Sequence, residues 1–283
     1  MSIPLPIVAA VLFGALCNAS WNLFVKRGDD RFLASVLLCL GCGVLGAIGL
    51  LVLPPPAAAS WPFIAASVAA QVGYITLLAA AYEAGDFGQA YPMMRGTAPL
   101  LVALVSGPLI GEPLSLGRWC GVGLISGGVV AMSFIGSGSA LKRAWKAPAL
   151  ALGTAALIAT YTVIDGIGVR QSGAPLSYAF TTFALTAVPL VGWTVLRRGR
   201  AFVDQALRRW RIMAFGGLAS FVSYGIALWA MARAPVAVVA SLRETSILFA
   251  TALSIVVLKE GIIPARLAAT ALIVLGAVAV RGF

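Results

Sequence analysis

Two arginines stand inside long apolar runs. Arg95 follows YPMM and precedes GTAPLLVALVSGPLI, and Arg243 sits within VVASLRETSILFATALSIVVL. A guanidinium keeps its proton at any physiological pH, so neither residue can titrate in a proton relay. It does grip a carboxylate or phosphate well, through paired N–H donors. A charge placed there in lipid costs about 2.5–3.5 kcal/mol on insertion scales and must face a cavity or an opposite charge. Two chemistries are therefore open: anion binding and an internal ion pair. For the second, Glu244 adjoins Arg243 but points about 100° away if the segment is helical. Glu83, Asp86 and Asp165 are the other acids that could serve either arginine.

Polar and aromatic residues at helical spacing accompany them. Gln71, Tyr74, Leu78 and Tyr82 share one face, and Tyr91 stands one turn before Arg95. Asn18, Asn22 and Lys26 recur every four residues with Trp21 beside them, Tyr161 pairs with Asp165, and Ser220 pairs with Tyr224. Such faces turn away from lipid, although Tyr82 and Tyr91 also suit an interfacial belt and Asn18 also suits a bond between helices. The expected substrate-binding set is Arg95, Arg243, Tyr91, Tyr74, Gln71, Trp21, Asn22, Tyr161 and Tyr224. Asp165 and Glu244 are the coupling candidates, because burial disfavours the charged form of a carboxylate. Glu112 and Glu260 close their apolar runs and are expected to cap the following helix or turn, outside the site.

The elements that must position these residues follow from composition. The 283 residues are 61% hydrophobic and 10% charged, with a mean hydropathy of +1.00, against about 45–50% apolar and about 25% charged in a soluble domain. Apolar stretches long enough to cross the roughly 30 Å hydrocarbon core fall at 5–25, 33–53, 62–82, 88–109, 115–135, 148–168, 175–196, 211–232, 235–257 and 264–282. The first has no basic leader or A-x-A site and reads as a permanent helix rather than a signal peptide. The net charge of +11 lies in short connections, where it acts as a topology signal, so no nucleic-acid partner is expected. Histidine is absent and Cys39-x-x-Cys42 has no second pair, so the cysteines read as small packing residues. No metal, cofactor or catalytic constellation is expected.

An internal repeat organises the spans. A shift of 148 residues, the separation of Arg95 from Arg243, also brings Thr97 onto Thr245, Glu112 onto Glu260, Arg118 onto Arg266 and Gly128 onto Gly276. ASWN at 19–22 weakly resembles ATYT at 159–162. The expected fold is an all-α integral membrane protein with ten transmembrane helices in two five-helix repeats, residues 1–137 and 138–283. An odd number of spans makes the second copy enter from the opposite side, and inverted repeats of this kind are typical of secondary transporters. Fourteen of the twenty Lys and Arg residues fall in connections on one side, against Arg118, Arg170, Arg233 and Arg281 on the other. The basic side is expected to be cytoplasmic, with both termini periplasmic. A monomer is expected, since one chain already holds both halves.

With ten spans, the five-plus-five repeat, Pro99 before a run ending in Gly111-Glu112, and Gly121 with Gly128 in the next span, the sequence resembles the EamA family of the drug/metabolite transporter superfamily. The second half keeps Glu260 and Gly276 but has Ile247 where that family often has proline. The resemblance implies a bacterial inner-membrane carrier with its third, fourth, eighth and ninth helices around a central cavity, working by alternating access. Members export amino acids and other metabolites, the aromatic amino acid exporter (YddG-like) group among them. The leading expectation is an exporter of small carboxylate-bearing metabolites, amino acids foremost. The alternatives are an exchanger of phosphorylated or phosphonate-type anions and a non-transporting membrane assembly or lipid-handling factor. A cationic-drug exporter is disfavoured, because two intramembrane cations would repel its substrate.

Overall fold

In lipid a backbone amide finds no water, so an isolated apolar segment must bond its N–H and C=O groups internally and becomes a helix. The computed structural model describes residues 3–26, 31–84, 87–134, 146–258 and 264–282, and among these it contains helix and no strand. The helices are α1 (Leu5–Lys26), α2 (Arg31–Val52), α3 (Trp61–Ala84), α4 (Phe87–Ile110), α5 (Leu116–Phe134), α6 (Lys146–Gln171), α7 (Pro175–Arg198), α8 (Arg200–Arg208), α9 (Trp210–Met231), α10 (Val236–Arg243), α11 (Ser246–Leu258) and α12 (Pro264–Gly282). A single 3-10 turn at Ala58–Ser60 leads into α3. Among the described residues seven segments are long and apolar enough to cross a membrane. Shorter apolar stretches lie within α1, α5 and α12.

Two elements differ from the sequence expectation. The basic connection after α7 is itself helical, since α8 turns Phe202 onto Leu33, Val36 and Leu37 of α2 and leaves Val203 and Leu207 exposed. The ninth apolar run is broken at Glu244–Thr245 into α10 and α11, whereas α4 runs on through Pro92, Pro99 and Pro108.

The helices of the two halves interleave. The main pairings are α5 with α12, α3 with α6, α2 with α7, α1 with α9, and α4 with α6 and α5. Close approach depends on glycine where α5 crosses α12. A Cβ on Gly276 would stand 2.7 Å from the Gly121 carbonyl oxygen, and one on Gly128 would stand 2.9 Å from that of Ala269. Small residues let backbones meet closely enough for dispersion to replace the hydrophobic drive that lipid does not supply. The crossing of α2 and α9 uses the same device at Gly41 and Gly217.

Candidate functional site

The interleaving leaves a cavity of about 160 Å³ between α1, α2, α3, α4, α6, α7, α9 and α10. Eight of the nine expected binding residues line it: Arg95, Arg243, Tyr91, Tyr74, Gln71, Trp21, Tyr161 and Tyr224. The ninth, the side chain of Asn22, lies outside the described residues, as do the side chain of Tyr82 and residues Asp86 and Glu260. Asn18 and Leu78 also line the cavity.

The two arginines have different surroundings, which the repeat did not foretell. Arg95, on α4, is only 9% exposed. Its Nε lies 2.9 Å from Glu244 Oε2, a charge contact whose N–H is not aligned on the oxygen, and its Nη2 donates to Ser246 Oγ at 3.4 Å. Arg95 is thus internally paired. Glu244 is its counter-ion, not a residue of the cavity wall. Arg243, on α10, makes no ion pair among the described residues. Its guanidinium lies 4.8 Å from the ring centroid of Tyr224, a cation–π arrangement. The helical direction argument holds, because Glu244 turns away from its neighbour and toward Arg95.

Asp165 is also out of the wall and fully buried. Tyr178 donates to its Oδ1 at 2.8 Å, and Tyr224 donates to its Oδ2. Gln71 Nε2 donates to Ser67 Oγ at 2.9 Å. The aromatic wall is continuous: Tyr161 meets Tyr74 at 5.7 Å and Tyr224 at 5.9 Å, both edge to face, and Phe183 meets Tyr224 at 6.0 Å.

Sequence reasoning missed one wall. Ser35, Leu38, Cys39 and Cys42 of α2, with Phe183 and Thr186 of α7, also line the cavity. The cysteines read as packing residues, and Cys42 does donate to the Gly217 carbonyl at 3.3 Å. They nonetheless border the cavity as well. The signal was weak because α2 carries no charge within its apolar run.

Glu112 does cap a helix, but in the other half. Gly111, at φ 72°, turns the chain out of α4, and Glu112 Oε2 accepts from Val236 N at 2.8 Å, at the start of α10. Glu112 Oε1 pairs with Arg170 Nη2 at 2.5 Å. Arg170 in turn donates to the carbonyls of Met231 at 2.9 Å and Ala234 at 3.0 Å.

Apolar helices of membrane-spanning length around a buried, arginine-bearing cavity define the class: a multi-pass membrane protein built as a carrier is built. The model of the EamA-like transporter family matches residues 145–282 and places the chain in that family's superfamily, the drug/metabolite transporters. A solved crystal structure aligns with TM-score 0.75 and 20% identity, over 97% of this chain and 96% of that one, a likeness of fold alone. No curated protein matches the chain significantly.

Proposed function

We propose that the chain is a secondary carrier that exports small carboxylate-bearing metabolites from the bacterial cytoplasm by alternating access. The observation that carries this reading is Arg243: a guanidinium on the cavity wall, held by the Tyr224 ring and without a carboxylate partner among the described residues. Desolvating such a charge is costly unless an anion meets it, and a carboxylate would meet it through paired N–H bonds. The aromatic wall would hold the rest of the substrate.

The architecture proposed with it is ten spans in two inverted repeats, the three shorter apolar helices joining the seven long segments. Helix pairing supports this. Exchanging the halves turns the pairing of α3 with α6 into that of α9 with α1, and the pairing of α2 with α9 into that of α7 with α3; all four occur. At the crossing of α5 with α12, the shift of 148 turns the contact of Gly121 with Gly276 into that of Ala269 with Gly128, and both occur. The charge bias then supports cytoplasmic basic connections and periplasmic termini in the inner membrane.

The alternatives fit less well. Two bare cations would suit a phosphate ester, but Glu244 neutralises one of them. A non-transporting lipid-handling factor calls for both arginines to be paired and for no cavity between the helices.

The test is counterflow in proteoliposomes with labelled organic acids, amino acids and phosphate esters. Wild type is expected to exchange carboxylates, and folded Arg243→Gln to lose at least ten-fold in rate. Undiminished exchange in that variant would remove Arg243 from the site.

A further inference from the structure

The charges around the cavity add up to a narrower substrate class than the carboxylates as a whole. Of the residues lining it, Arg95 and Arg243 are charged, and none of the lining residues is an acid. Glu244 cancels Arg95 from behind the wall. The repeat does not return the favour: the position matching Glu244 in the first half is Gly96, where a Cβ would stand 2.7 Å from Val130 Cγ2 and 3.0 Å from the Ser126 carbonyl oxygen. Packing against α5 therefore bars a second acid there, and Arg243 has no ion-pair contact among the described residues; Asp165 and Glu244 attract it only from behind the wall.

Asp165 cannot serve a bound cation as it stands. It has no exposed surface, and a tyrosine hydroxyl occupies each of its two oxygens. Three of the tyrosine rings are engaged as well. Arg243 covers Tyr224, and Tyr161 packs edge to face with Tyr74 and Tyr224. The Trp21 indole N–H borders the cavity without an acceptor among the described residues, a further donor beside the guanidinium of Arg243. A free amino acid would bring an ammonium with nothing of opposite charge to receive it, and a buried unpaired ion is strongly disfavoured. The volume matches: a cavity of about 150 Å³ is enough for a benzene ring.

We propose that the substrate is a small monoanion without an ammonium group, such as an aryl or hydroxy monocarboxylate, in preference to the zwitterionic amino acid of the same skeleton. This rests on the carrier reading above and specifies the substrate of that same cavity.

The experiment compares labelled 3-phenyllactate and phenylalanine, which differ only in hydroxyl against ammonium at the α-carbon, with phenylsuccinate as the dianion. The protein is the full chain in liposomes, read by counterflow. Phenyllactate is expected to exchange at least ten-fold faster than either of the others. Equal or faster exchange of phenylalanine or phenylsuccinate would overturn the inference and leave the carrier reading standing. If no carboxylate moves, the carrier reading itself falls and the inference with it. Gln71→Glu places a carboxylate on the wall with little change of shape, and it is expected to cut the preference for phenyllactate over phenylalanine at least ten-fold. An unchanged preference in that folded variant would also count against the inference.

Discussion

At Arg95 and Arg243 the same side chain has two physical roles, and stability tells them apart. Arg95 and Glu244 form a buried pair, and removing one partner strands the other charge. Such losses run to about 3–5 kcal/mol, which at roughly 2–4 °C per kcal/mol in a chain of this size puts the fall in melting temperature at about ten degrees. Glu244→Gln in detergent is expected to show that fall, and the double replacement Arg95→Met with Glu244→Met to recover much of it, since a hydrophobic pair needs no counter-charge. Arg243→Gln loses its stacking on Tyr224, worth about 1 kcal/mol, and a longer-range attraction to Asp165 and Glu244, but it strands no ion-pair partner and should melt within a few degrees of wild type. If Arg243→Gln melts as low as Glu244→Gln, the division of roles is wrong. The sequence made both arginines conspicuous, because a permanent charge in an apolar run has few explanations. It left their partners open, because which way Glu244 points depends on how α4 packs against the break after α10.

That break shows what patterns of apolar residues reveal about elements and what they leave hidden. Hydropathy located the apolar helices to within a few residues, since each must satisfy its own backbone in lipid, and passed over the basic α8. Proline was the only visible marker of distortion, and it pointed to α4, which tolerates three prolines within one helix. The actual interruption uses i→i+3 bonds from Glu244 N to Ser241 O and from Thr245 N to Leu242 O, with the Thr245 hydroxyl donating to the Leu242 carbonyl. Local side-chain bonds of this kind compete with the helical ladder, and nothing in the residue types alone says that they win. Glycine is a similar case. Gly121 and Gly123 are two residues apart on α5, yet a Cβ on Gly121 would meet α12 while one on Gly123 meets nothing within 4 Å. Gly121→Leu is therefore expected to destabilise the detergent-solubilised protein by several degrees, and Gly123→Leu to leave its melting temperature unchanged. Equal effects would mean that α5 and α12 do not pack as closely as this crossing requires.

For the whole molecule, the question is which side of the membrane the cavity meets. Part of its lining, from the end of α1, the first half of α2 and the first turns of α4, lies toward the basic connections, and the rest comes from near the middle of α3, α6, α7 and α9 and from Arg243 at the end of α10. The opposite ends are tied together by Glu112 and Arg170, which join the α4–α5, α6–α7 and α9–α10 connections through one ion pair and three bonds to backbone. The inverted repeat proposed above would make two symmetry-related conformations readable from sequence, but not which of them is occupied, because that rests on contacts between residues as distant in the chain as Glu112 and Val236. In the alternating access proposed above, these bonds would have to break for a substrate to leave on the far side. Ser220→Cys, on the cavity wall of a variant with its four native cysteines replaced, is expected to react with a membrane-impermeant thiol reagent from the basic side and to be protected from the other. Adding Glu112→Ala with Arg170→Ala removes the tie, and labelling from the second side should then rise at least several-fold. Ready labelling from that side before the tie is removed would show that Glu112 and Arg170 do not hold it shut.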